Sequence, residues 1–206
     1  MSVSKPDSID KVQNYFVNMQ PANLFKSLHL LIGEWPKYLS SVNSRIISNS
    51  AKAFGNVINA FDLVDFFENV NILRNRLLNK TTDAITIAAA DVYYEAHFAL
   101  EFLINSNIAT VAATTMQNSS IIAGITLAYS FGAKSIENLT EYQKEVNETK
   151  KNIALAKLVK TVALCAMGVL LAYSSIYSTI IPAPYMLILS TSALVSSLAK
   201  GYFEYK

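Results

Sequence analysis

Two long stretches of the chain carry no charged side chain. One extends from Phe102 to Ala133 and the other from Thr161 to Ala199. A charged block separates them, holding Lys134, Glu137, Glu141, Lys144, Glu145, Glu148, Lys150, Lys151, Lys157 and Lys160. A bilayer-crossing helix needs about 20 apolar residues, and both stretches are long enough. The second divides into two helical arms, residues 161–181 and 185–199, around Pro182-Ala183-Pro184. Proline lacks the backbone N–H and clashes with the preceding turn, so Pro182 and Pro184 are predicted to form a hairpin turn. Gly201 is expected near the end of the second arm, where Tyr202, Phe203 and Tyr205 suit a membrane interface. Lysines flank the hairpin (Lys157, Lys160, Lys200, Lys206) and its loop has none. By the positive-inside bias, both ends face the cytosol. Ala163, Ala166, Gly168, Ala172 and Ser175 in one arm and Ser190, Ser192, Ala193, Ser196 and Ser197 in the other allow close helix approach in lipid. They are expected to support oligomers.

The first charge-free stretch is interrupted by Gln117-Asn118-Ser119-Ser120. Four polar side chains in mid-bilayer are costly unless satisfied. A turn is therefore predicted here, between helices 83–115 and 119–142, with Ser119 or Ser120 capping the second.

The first half reads differently. Residues 1–38 are expected to form short lead-in helices, one starting at Ser8-Ile9-Asp10 and another capped by Asn23 and ending at Gly33. No basic segment followed by an apolar run marks a signal peptide. Over residues 40–78, Val42, Ile46, Ile47, Phe54, Val57, Ile58, Phe61, Val64, Phe67, Val70 and Leu73 mostly follow i, i+3, i+4 steps, which places them along one helical face. The opposite face carries Ser44, Arg45, Ser48, Asn49, Lys52, Asn56 and Asn59. Such a helix binds a bilayer by inserting its apolar side, with little Coulombic help, or meets neighbouring helices with the same stripe. The membrane-binding set expected from it is Arg45, Ile47, Lys52, Phe54, Val57, Ile58, Phe61 and Val64.

Composition narrows the classes. Hydrophobic residues make up 52% of the 206 and charged residues 16%, with a formal net charge of +2. A disordered chain needs the reverse balance. No Lys/Arg cluster forms a nucleic-acid footprint. The single cysteine, Cys165, excludes an internal disulfide and reads as a small hydrophobe. Low glycine and proline counts suit an all-α fold of about six helices.

Candidate chemistry is sparse. Asp91, Glu95, His97 and Glu101 are the acid–histidine group, read as two i, i+4 pairs pointing apart and flanking a helix near a membrane surface. Di-metal bundles want Glu and His three apart, repeated on a second helix, and this spacing differs. His29 reads as a packing or surface residue. The triplets at Asn79, Asn118, Asn138 and Asn147 read as chance, and the charged block as a solvated helix face with i, i+4 pairing. No phosphate loop or nucleophile elbow appears. The expectation is a non-enzymatic protein without cofactor or metal.

The order of elements resembles the peroxin-eleven family of peroxisome membrane-elongation proteins. Leu39-Ser40-Ser41 and Ala51-Lys52-Ala53-Phe54 through Phe61 occupy the place of that family's amphipathic helix. Residues 91–104, 121–136, 144–157 and 161–198 follow as its apolar helices, charged connector and final apolar pair. The family's amphipathic helix is more basic than this one. The resemblance implies membrane tubulation, fission and self-association. Residues 161–199 are also similar to the hairpins of chlamydial inclusion-membrane proteins. The expected function is bilayer shaping, through a wedge at residues 39–80 and an anchor in residues 144–206, joined by an apolar helix pair at 81–143. The expected partners are the lipid bilayer and further copies or other membrane proteins, but not nucleic acid. The alternatives are a structural subunit of a membrane complex and a soluble helical effector or scaffold.

Overall fold

The computed structural model describes residues 66–79, 82–105 and 107–205. The lead-in helices, His29 and the membrane-binding set Arg45, Ile47, Lys52, Phe54, Val57, Ile58, Phe61 and Val64 lie outside them. The described residues form helices only. Residues 66–78 are helical (α1). They are followed by α2 (Thr82–Asn105), α3 (Ala113–Lys144), α4 (Glu148–Tyr177) and α5 (Ala183–Tyr205). The described residues thus hold five helices and no strand, against an expected six or so over the whole chain.

Consecutive helices pack side by side, with α3 on α4 the most extensive contact, then α4 on α5 and α2 on α3. The α3–α4 contact is set by glycine. A Cβ on Gly124 would lie 2.5 Å from the backbone nitrogen of Ala172, and one on Gly168 would lie 2.6 Å from that of Ala128. Gly124 and Ala128 on α3, and Gly168 and Ala172 on α4, therefore form reciprocal small-x-x-x-small steps at which the backbones touch. This is the packing mode of helices that associate without a hydrophobic driving force between them.

Several boundaries differ from expectation. The turn predicted at Gln117–Ser120 is helix; the chain reverses at residues 107–112 instead. Asn107 adopts φ 57°, a left-handed conformation that asparagine tolerates. The N–H groups of Ile108 and Ala109 then bond back to the Leu103 carbonyl, at 2.8 and 3.1 Å. That closes α2 as a C-terminal cap does. Ser119 and Ser120 do not cap α3; its N-cap, Ala112, makes no side-chain cap bond.

At the hairpin, α4 ends at Ser178 (φ 51°), four residues before Pro182, with the Thr179 N–H bonded to the Ser174 carbonyl. Pro182 sits in the turn, and its carbonyl accepts from the Tyr185 N–H. Pro184 is the second residue of α5, within the first turn, where a missing N–H costs nothing. The expected end near Ala199 is also passed, because α5 runs through the buried Gly201 to Tyr205.

The charged block is not a separate connector. It ends α3 and begins α4, with a break only at residues 145–147. Asn147 caps α4 by accepting from the Lys150 N–H at 3.1 Å. Asn138 donates to the Thr161 hydroxyl at 3.3 Å, so two of the four asparagine triplets have structural roles. Within the block Lys157 pairs with Glu141 across the turn at 3.3 Å, 16 residues apart and not at i, i+4 spacing. On α1 the half-buried positions are Phe66, Asn69, Ile72, Leu73 and Arg76, whereas Phe67 and Val70 of the expected stripe are exposed.

Gly124→Ala should lower unfolding stability by about 2 kcal/mol, through overpacking against backbone that cannot yield. Gly132→Ala, whose Cβ would meet only the Cys165 sulfur at 3.6 Å, should leave stability unchanged or raise it by up to about 1 kcal/mol from helix propensity. Thermal melts of both variants by circular dichroism, side by side in one detergent, check the contrast.

Candidate functional site

The distribution of side-chain sizes is reversed relative to a water-soluble bundle. The buried apolar residues are mostly alanine: Ala88, Ala90, Ala99, Ala123, Ala154, Ala156, Ala163, Ala172 and Ala193, beside Tyr94, Leu127 and Met167. Ser130 and Ser190 are the largest fully buried side chains. Many of the large apolar side chains of α3, α4 and α5 point outward in stripes. Ile122, Ile125, Tyr129 and Ile136 mark α3, and Val162, Val169, Tyr173 and Ile176 mark α4. Ile188, Val195 and Tyr202 mark α5, and all eleven are 44% or more exposed. Monomeric soluble proteins rarely show contiguous apolar patches of this kind.

Charge divides the bundle along its length. The charged end of α3, the charged start of α4 and the end of α5 lie together. The uncharged loops 107–112 and 178–182 lie at the opposite end. Gln117 on α3 fixes that end by donating to the Ser175 carbonyl at 2.9 Å. Two helices among the described residues are long and apolar enough to cross a membrane, Glu148–Tyr177 and Pro184–Glu204, with 33% and 28% of their most apolar windows buried. From Thr161 to Tyr177 the uncharged part of α4 rises about 25 Å, close to a hydrocarbon core of about 30 Å.

Polar groups face inward, in the α2–α3 seam. Asp91, Glu95 and His97 are 9%, 5% and 2% exposed. They are enclosed between helices, not flanking one at a surface as expected. The Asp91 carboxylate accepts from the Ser130 hydroxyl and from the Lys134 ammonium at 2.9 and 3.0 Å. His97 Nδ1 meets the Ser119 hydroxyl at 2.9 Å, and Nε2 lies 3.4 Å from both Ser120 Oγ and Glu101 Oε1. The expected turn residues are therefore partners of a buried histidine. Ser120 also donates to the Met116 carbonyl at 2.9 Å, which satisfies it within the helix. This seam satisfies polar groups in pairs, which is what a low-dielectric interior demands. Among the described residues no group of three or more His, Cys, Asp or Glu is placed to hold a metal. Cys165 is half-buried, and its thiol reaches the Ala128 carbonyl at 3.3 Å.

Seven of the ten small residues expected to mediate oligomers are buried within the chain. Ala163, Gly168, Ala172, Ser190, Ala193, Ser196 and Ser197 are buried between the chain's own helices. The Gly124/Ala128 step was legible from its four-residue spacing. The Asp91–Lys134 pair was not, because it joins residues 43 apart. The chain matches no protein-family model, no curated protein and no solved structure.

Lys134→Met should destabilise the fold by about 2 kcal/mol, because it strands the Asp91 carboxylate. The value lies below that of a fully buried pair because the Lys134 side chain is about a third exposed. Adding Asp91→Leu should recover most of that loss, and denaturant melts of the single and double variants measure it.

Proposed function

We propose that this chain is an integral membrane protein whose helices α3, α4 and α5 present a lipid-facing apolar surface, with the α4–α5 hairpin as its anchor. The reversed packing carries this reading. A core of alanine and serine buries too little apolar area to hold large outward Ile, Val and Tyr stripes in water. In lipid the same helices are held by close backbone approach and by interhelical hydrogen bonds. Lysines at the charged end then favour the cytosolic side for that end.

In this reading the protein has a non-enzymatic role and shapes the bilayer. Residues 39–80 supply the wedge in one leaflet, and the hairpin anchors the chain. The resemblance of the sequence's element order to peroxin-eleven proteins favours this version. Partner proteins that cover the outward stripes would make the chain a subunit of a larger complex. A soluble helical effector or scaffold would instead stay monodisperse in the absence of detergent.

Alkaline carbonate should leave the full-length chain in the membrane pellet. Val169→Asp combined with Ile188→Asp should release it, and release of the wild-type chain would end the membrane reading. With the anchor intact, Phe54→Glu with Phe61→Glu should abolish liposome tubulation; undiminished tubulation would remove the wedge while leaving the anchor.

A further inference from the structure

At the charged end the five described helices enclose a half-open cleft of about 820 Å³, within the size range of small-molecule sites. In a chain this poor in charge, its walls gather Lys134, Lys157, Lys160 and Lys200. They also carry Glu68, Glu95 and Glu137. Thr161 and Leu164, where the uncharged stretch of α4 begins, complete its apolar side. The cleft therefore lies where charged block gives way to apolar face. With that face in lipid, this is the headgroup level.

We infer that this cleft seats the headgroup of a bilayer aminophospholipid, one that carries both a phosphate and a primary ammonium, with phosphoethanolamine as the fitting case. The inference rests on the membrane reading above. The mixed sign of the walls decides the class. Lysine ammonium groups suit phosphate oxygens. Lys134, Lys157 and Lys200 already touch Asp91, Glu141 and Glu204, but each ammonium has three donors and retains some for a ligand. A headgroup with negative charge alone would also face the cleft's glutamates and the carboxylates paired to its lysines. A primary ammonium meets that acidity with three N–H donors, and Glu68 and Glu137 are exposed acceptors for it. A trimethylammonium has no N–H to give and prefers open aromatic faces. Here Phe131 is taken up, packed on Tyr94 at 5.9 Å and covered by the Lys134 ammonium at 4.8 Å.

The test is native mass spectrometry of the full-length chain in detergent micelles. It is titrated with phosphatidylethanolamine, phosphatidylcholine and phosphatidylglycerol of identical acyl chains, and separately with water-soluble glycerophosphoethanolamine. Phosphatidylethanolamine should be retained about ten-fold better than either of the other lipids, the effect of one or two charge-assisted hydrogen bonds. Lys160→Gln with Lys200→Gln should lower its retention by about the same factor at unchanged helicity. Glu137→Gln should erase the preference over phosphatidylglycerol, which keeps the question open to test if the lysine variant fails to fold. Equal retention of phosphatidylcholine, or stronger retention of phosphatidylglycerol, in a chain that still resists carbonate would overturn the headgroup site and leave the membrane reading intact. Release by carbonate, with binding only of glycerophosphoethanolamine, would overturn the lipid as the source together with that reading.

Discussion

The distance between α3 and α4 is the constraint on which the rest of the structure depends. Gly124 and Gly168 each sit where a Cβ would strike the other helix's backbone, at 2.5 and 2.6 Å. At that separation only small residues fit in the seam, and Ala123, Ala163 and Ala172 fill it with little exposure. Many large side chains on the same helices turn outward, while Leu127 and Met167 stay buried. The exposed stripes of Ile, Val and Tyr follow from the close backbone approach, and that arrangement suits a solvent as apolar as the side chains themselves.

A bundle held this way gains little from burying apolar area, so polar contacts between helices matter more. The α2–α3 seam supplies them through Asp91 with Ser130 and Lys134, and through His97 with Ser119 and Glu101. Asp91 and His97 each find partners on the neighbouring helix or one turn away, which avoids the cost of an unpaired group at low dielectric. The α3–α4 seam is tight at its glycines and carries isolated polar contacts, Gln117 to the Ser175 carbonyl, Asn138 to Thr161 and Lys157 to Glu141. The α2–α3 seam is polar, so it specifies how α2 sits on α3 through directional bonds.

The longitudinal division of charge connects this packing to function. The reversal at residues 107–112 and the hairpin at 178–182 lie together at one end, joined by Gln117 and the Ser175 carbonyl. The charged parts of α3, α4 and α5 then meet at the other. An apolar zone about one hydrocarbon core deep and a charged end with a cleft are the outcome, and the membrane reading and the headgroup seat both rest on that division.

Much of this was legible in the residues. The uncharged stretches gave the all-helical class, the apolar α4–α5 pair and the reversal near Pro182, because bilayer-length apolar runs and proline sterics are local properties. The glycine-alanine steps carry a spacing readable on each helix separately. The turn within the first uncharged stretch was misplaced. Gln117–Ser120 looks unsatisfied in isolation, whereas Asn107 with its left-handed backbone is an equally local signal that the polar quartet overshadowed. The burial of Asp91, Glu95 and His97, the inward use of the small residues and the convergence of four lysines on one cleft belong to the tertiary structure alone. They depend on which faces of separate helices meet. A helix by itself offers every face, and the contacts between helices, the backbone approach at Gly124 and Gly168 first among them, decide which turn inward.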